Sequence, residues 1–382
     1  MCRRRDVGRL DGMTTRREFL TAAAATGLLL AAPSVAAATT LTRFTLPRPS
    51  GPHPVGVTRR HLVQRGRPDP WHPQADRELM ISIWYPAHLS LRPRARYLDP
   101  LVAAKYTADG VIGVPANTVD WAAPRVTARV DAPRAGRGHP VLVYAPGAGN
   151  SRALGTVLVE DLASHGYVVV TVDHTYETPI EFPGGRLVDA GLPGNPPDIE
   201  AAKRLFMDTR EADIRFVLDE LRLTRVGLLG HSAGGVIATR VMRADQRVVA
   251  GVNMDGFFEF GDNRPELGVD RPFLLMGAAS HPQQPPLFGA VRTHLSDPGW
   301  VAFWNASTGE RLDLAVPLGR HYTYTDAQWF VPELPVDPAG LIGTVDRRVV
   351  HAQRDVLRWW FDRHLRGRNR PRPTHPDLDQ VQ

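Results

Sequence analysis

Gly230-His231-Ser232-Ala233-Gly234-Gly235 is the segment of this 382-residue sequence with the most chemical content. An apolar run, Arg225 to Leu229, leads into it, and helical spacing from Ala233 to Met242 follows. A serine between a strand and a helix must take a strained turn that lifts its hydroxyl above the sheet. Glycines at 230 and 234 are needed because side chains there would clash where strand and helix pack closely. Gly-x-Ser-x-Gly alone is a weak pattern; its position between strand and helix carries the reading. Ser232 is the expected nucleophile, against the plainer alternative of a glycine-rich turn capped by a serine. The N–H of Ala233, at the start of the helix, is placed to hydrogen-bond an oxyanion.

A serine hydroxyl at its free pKa is a poor nucleophile. It needs a histidine base, and the histidine needs an acid to fix its tautomer. Asp255 ends the apolar run Val248 to Met254, after the nucleophile, and is the expected acid. The next run, Pro272 to Met276, offers no carboxylate at its far end, and Asp270 precedes it. The candidate bases after Asp255 are His281, His294, His321, His351 and His364. His321 is the expected base, because it follows a strand-like run and the turn Pro317-Leu318-Gly319-Arg320. A second oxyanion donor is expected from the loop after an earlier strand. Ala145-Pro146-Gly147-Ala148-Gly149 follows Val141-Leu142-Val143-Tyr144 in the right order. Ala148 is the expected donor, with Gly147 as the neighbouring alternative.

The elements that must position these groups are legible as alternating strands and helices. Strands are expected over Arg77–Pro86, Val141–Tyr144, Tyr167–Val172, Arg225–Leu229, Val248–Met254, Pro272–Met276 and Arg311–Val316. Helices are expected over Leu154–His165, Ala212–Leu223, Ala233–Met242 and Leu341–Leu365. The strands are near-continuous apolar runs, which predicts a mostly parallel sheet with helices on both faces, an α/β fold. Residues 39–75 and 87–139 read as irregular, and 368–382 as a polar tail, so a single domain spans 76–367. Residues 87–139 and 281–310 carry no decodable pattern and are the two candidate lids.

Composition excludes other classes. A 43% apolar content with eight Trp and 13 Phe supplies a core. Cys2 is the only cysteine, so neither a disulfide scaffold nor a Cys-ligated metal site is available. The net charge is +6. Six arginines and three acids precede residue 39, so the rest of the chain is about +3, too balanced for nucleic acid to be the expected partner. The basic run Arg363 to Arg372 reads as a solvated tail. Residues 1–38 read as an export signal. Arg16-Arg17 with Phe19 and Leu20 resembles a twin-arginine motif, a short apolar run follows, and small residues to Ala38 offer a cleavage site. That run is too short to span a bilayer.

These residues resemble the α/β-hydrolase superfamily, and more narrowly the plasma-type platelet-activating-factor acetylhydrolase or lipase-like family with its secreted bacterial relatives. The resemblance covers about Glu78 to Gly367. It rests on Val141 to Gly149, Asp161 to Val169, Val172-Asp173-His174, the Ser232 segment, and Asn253-Met254-Asp255-Gly256. An acid on the strand directly after the nucleophile strand is its most specific feature. The resemblance implies Ser232, Asp255 and His321 as a triad, with Ala148 and Ala233 as oxyanion donors. Pro146 departs from the acetylhydrolases, which carry a histidine there, and is similar to the cutinase-like polyester hydrolases.

The expected activity is a secreted serine hydrolase for carboxylic esters, lipid or phospholipid acyl esters of short chain, working without metal or organic cofactor. Phe257, Phe258, Phe260, Trp329 and Phe330 are candidate walls of an acyl pocket. Transient contact with a membrane surface is an expectation of the lipid substrate. Rival readings are a general carboxylesterase or amidase and a non-catalytic binding protein on the same fold.

Overall fold

The computed structural model describes residues 40–283 and 287–382; the expected export signal lies outside the described residues. Thirteen strands are present among them. In chain order they are β1 (Val55–Pro68), β2 (Asp76–Pro86), β3 (Arg94–Arg96), β4 (Arg125–Val130), β5 (Val141–Ala145), β6 (Val168–His174), β7 (Ile180–Phe182), β8 (Arg186–Val188), β9 (Val226–His231), β10 (Val248–Met254), β11 (Phe273–Ala278), β12 (Arg311–Val316) and β13 (Asp379–Gln380). Eleven form one sheet in the order β13-β12-β11-β10-β9-β5-β6-β2-β1-β4-β3, and β7 and β8 pair as a separate hairpin.

The six central strands, β12 through β6, are mutually parallel, and β2 joins them antiparallel through β6. Alternate side chains leave a strand on opposite faces. Leu142, Val169 and Leu229 accordingly enter one core, while Val143, Val170 and Leu228 enter the other. Helices Thr156–Ser164 and Val349–Arg366 cover the first face with Leu162, Val356 and Trp360. Helices Ile199–Glu220 and Ala233–Ala244 cover the second with Ile214, Val217, Val236 and Val241. This is the α/β-hydrolase architecture, and it sets the ends of β5, β9, β10 and β12 along one edge.

The structure departs from the sequence reading in several places. Residues 55–68, expected to be irregular, form β1, which pairs with β2 from Val55↔Pro86 to Gln64↔Arg77. Only Val55, Gly56, Val57 and Leu62 of that strand are buried, and Arg59, Arg60 and Arg65 are exposed, so no apolar run announces it. Residues 87–139 supply β3, β4 and the helix Pro100–Asp109, and bury Tyr97, Tyr106 and Trp121. The helix expected from Ala212 begins at Ile199, where Asp198 accepts the Ala201 N–H at 2.8 Å. Its middle buries Thr209, Arg210 and Asp213, polar groups that break the apolar stripe.

The helix expected from Leu341 starts at Val349. The backbone before it is committed elsewhere: the Leu341 carbonyl accepts from Tyr322 N, Thr344 N donates to Leu318 O, and the Val345 carbonyl accepts from Gln328. The stretch expected to be a polar tail instead buries Leu378 and pairs β13 antiparallel with β12. The basic run is likewise engaged, with Arg366 and Arg368 on Asp362 and Arg363 on Glu310.

Candidate active site

Strand β9 delivers Ser232 into a backbone conformation that a side chain rarely adopts, φ 55° and ψ −126°. Such strain persists only where the surroundings fix it. The Ser232 N–H donates to Met254 O at 2.9 Å, tying the turn to β10, and its carbonyl accepts from Gly235 N to start the helix. Gly234 is required by contact: a Cβ there would lie 2.0 Å from Ala145 O. The helix can therefore back onto β5 only without that side chain.

Asp255 follows β10, buried and also at positive φ, 55°. Its N–H donates to Met276 O at 2.8 Å. Asn253 clamps the same turn, accepting from Gly256 N at 2.7 Å and donating to Gly256 O at 2.9 Å. His321 opens a short 3-10 turn, His321–Tyr324, beyond β12. Its Nδ1 lies 2.6 Å from Asp255 Oδ2. With Nδ1–H donating to the carboxylate, Nε2 carries the free lone pair. The structure thus joins the expected acid and base directly. Of the other histidines weighed, His294 pairs with Asp313 at 2.7 Å, and His351 and His364 ride the C-terminal helix.

Ser232, Ala148 and Ala233 line one narrow apolar pocket with Met207, Val236, Phe257 and Phe260. Among the described residues, the N–H groups of Ala148 and Ala233 donate to no protein acceptor. Two of the five aromatic candidates, Phe257 and Phe260, form pocket wall. Phe258 instead stacks on Phe303 at 5.3 Å, Phe330 packs against Phe44 and Trp121, and Trp329 donates its indole N–H to Thr45 O at 2.9 Å.

Two side chains that sequence reasoning did not assign complete the surroundings. His231 donates from Nε2 to the His321 carbonyl at 2.9 Å, and its ring centre lies 4.5 Å from that of His321. Burial, reinforced by the neighbouring His321, holds the His231 imidazole well below its ordinary pKa, so it stays neutral. Arg292 reaches Asp255 Oδ1 with Nε at 3.3 Å and pairs with Asp297 through Nη1. His231 sat inside the serine motif and was readable as a neighbour. Arg292 lies 37 residues from Asp255 in a segment without pattern, and no local signal marked it.

A strand-to-helix serine with a buried aspartate–histidine pair at the same sheet edge defines an α/β-hydrolase. Residues 142–378 match the model of the alpha/beta hydrolase family, and the chain belongs to that family. Residues 38–180 match the model of platelet-activating factor acetylhydrolase, isoform II. A probable 1-alkyl-2-acetylglycerophosphocholine esterase of Arthroderma benhamiae is 29% identical over 313 residues, 74% of this chain and 76% of the relative. A platelet-activating factor acetylhydrolase of Cavia porcellus is 23% identical over 254 residues, 55% of each chain. The solved ferulic acid esterase from Streptomyces cinnamoneus superposes with a TM-score of 0.75 at 36% identity, covering 88% of this chain and 99% of that one. In class, the chain is a carboxylic-ester hydrolase.

Proposed function

We propose that the chain hydrolyses short-chain acyl esters through Ser232, His321 and Asp255. Ser232 Oγ attacks the acyl carbonyl while His321 Nε2 takes its proton. The tetrahedral intermediate places its oxyanion at the Ala148 and Ala233 N–H groups. His321 returns the proton to the leaving alkoxide, and water then releases the acyl group by the same route in reverse. Asp255 holds the tautomer and stabilises the imidazolium. The observation that carries this reading is the 2.6 Å contact from His321 Nδ1 to Asp255 Oδ2 beside a strained serine.

A short acyl group is supported by the pocket at Ser232, a cavity of about 10 Å³, near the room of one water molecule. Acetyl esters of a glycerophospholipid, as named for the Arthroderma relative, fit that size better than a feruloyl group. The lipid class brings with it transient contact with a membrane surface. Arg16-Arg17 and the apolar run after them support export by the twin-arginine route. Lysines at both positions would then retain the precursor inside the cell.

The test is turnover of p-nitrophenyl esters from acetyl to palmitoyl, with Ser232→Ala as control. The expected result is a preference for acetyl to butyryl that the substitution abolishes. Full activity of Ser232→Ala would end the assignment of the nucleophile, and a preference for long chains would end the short-acyl reading alone. The matching anilides, expected to be poor substrates, separate esterase from amidase.

A further inference from the structure

The loop after β5 is gripped from behind by a buried arginine. Arg210, midway along the helix Ile199–Glu220, is fully buried. Its Nη1 donates to Pro146 O at 2.7 Å and its Nη2 to Gly147 O at 3.0 Å. Its Nε donates to both oxygens of Glu177, at 2.8 and 3.0 Å, and Nη2 also meets that carboxylate. Glu177 is itself buried, just beyond β6. The Arg210 Cζ lies 5.0 Å from the centre of the Phe206 ring. A buried charge pair of this kind costs desolvation and is a weak source of stability, so its placement asks for another explanation.

The peptide plane supplies one. In a trans peptide the carbonyl of one residue and the N–H of the next point in opposite directions. A donor fixed on Gly147 O therefore fixes the direction of the Ala148 N–H, away from Arg210. The same holds for Pro146 O and the Gly147 N–H. The far side of this loop is the serine: a Cβ on Gly147 would fall 3.2 Å from Ser232 Cβ and 3.0 Å from His231 Nδ1. Ala148 shares the pocket with Ser232 and Ala233. A charged donor on the carbonyl also polarises the peptide and strengthens its N–H as a donor.

We propose that Arg210, held by Glu177, is a positioning residue that aims the Ala148 N–H at the oxyanion. It touches neither substrate nor nucleophile. This rests on the assignment of Ser232 under the proposed function and deepens it. Of the two neighbouring amides turned away from Arg210, Ala148 is the one that lines the pocket with Ser232 and Ala233.

The test compares the full chain with Ser232→Ala, Arg210→Met and Arg210→Lys. It measures kcat and KM on p-nitrophenyl butyrate, and inhibition by butylboronic acid, which forms a tetrahedral adduct on a reactive serine. Folding is checked by circular dichroism. Arg210→Met is expected to lower kcat about 10- to 100-fold, the scale of a weakened oxyanion donor, with KM little changed. Boronate inhibition is expected to weaken by the same factor. Arg210→Lys keeps the charge against Glu177 but has no planar fork to span two carbonyls; it is expected to fall between, and it carries the test if Arg210→Met does not fold. Folded variants with unchanged kcat, or with a lowered kcat and unchanged boronate inhibition, overturn the proposal while Ser232 stands. Full activity of Ser232→Ala removes the site and the proposal together.

Discussion

Arg292 places its Nε 3.3 Å from the Asp255 oxygen that His321 leaves free, so the carboxylate is held from both sides. Ala278 N donates to that same oxygen at 3.2 Å. Donors on both oxygens of a carboxylate fix its plane. An aspartate so held keeps His321 in the tautomer with Nε2 free. The segment 281–310, one of the two candidate lids, thus contributes a residue that supports Asp255.

Arg292→Met is expected to lower kcat about 10-fold or more, the worth of one hydrogen bond to a charged group. It also strips the buried Asp297 of its guanidinium partner. Removing one member of a buried pair destabilises by about 3–5 kcal/mol. Adding Asp297→Asn to that variant is expected to restore most of the stability and little of the activity. Urea melts alongside steady-state kinetics read both; recovery of activity with stability would mean Arg292 serves only the fold.

His231 fixes the other end of the base. Its Nε2–H donates to the His321 carbonyl at 2.9 Å, anchoring the backbone from which the imidazole projects. His231→Phe keeps the ring and deletes the donor, leaving that carbonyl without its partner. A cost of about 1–3 kcal/mol in stability is expected, together with a lower kcat at nearly constant KM. An unchanged kcat in a destabilised protein would limit His231 to packing.

Gly234→Ala puts a Cβ 2.0 Å from the Ala145 carbonyl oxygen, a backbone atom of a central strand. Neither side can move without opening the sheet. The expected result is loss of more than about 4 kcal/mol, or no soluble protein. Gly138→Ala is the control: φ is 74° there but nothing lies within 4 Å, so about 1–2 kcal/mol of backbone strain is the whole cost. Thermal melts of the two variants distinguish contact from strain.

The contrast between these residues explains what was legible. Ser232, Asp255 and His321 each end or follow an apolar strand, and that placement together with chain order ranked them. The parallel strands were readable because both faces are largely buried and apolar runs such as Val168–Val170 and Phe273–Met276 dominate them. Strand β1 was not, because Arg59, Arg60 and Arg65 interrupt it and its partner β2 does the burying. Arg210 and Arg292 were invisible for a different reason. Each acts on atoms 37 or more residues away, Arg210 on Gly147 and Arg292 on Asp255. Their value lies in a three-dimensional contact that no periodicity encodes. The aromatic candidates show the same limit from the other side: equally close to Asp255 in sequence, Phe257 lines the pocket while Phe258 stacks on Phe303.

Glu160 gives the fold a pH dependence of definite sign. It is 2% exposed on the helix Thr156–Ser164, and its Oε1 accepts the Ala128 N–H. Burial pushes its carboxyl up to about 8; the Ala128 N–H and the Arg354 charge pull the other way and lose. Asp326, buried nearby and accepting from Val157 N at 2.9 Å, is pushed up to about 7 by burial as well. The folded chain therefore keeps protons on both groups at a pH where the unfolded chain has released them. With more protons bound in the folded state, stability falls as pH rises. The contribution is complete below about 4.5, the ordinary carboxyl range, and is lost progressively as pH climbs to about 8. Glu160→Gln carries no titrating proton and keeps the side chain's size. It is expected to match the parent protein at pH 5 and to exceed it at pH 9, with a flatter slope between. Adding Asp326→Asn is expected to flatten it further. Urea denaturation at pH 5, 7 and 9 reads the slope directly. An unchanged slope in Glu160→Gln would mean that this carboxyl is ionised in the folded protein, with Arg354 as the counter-charge that outweighs its burial.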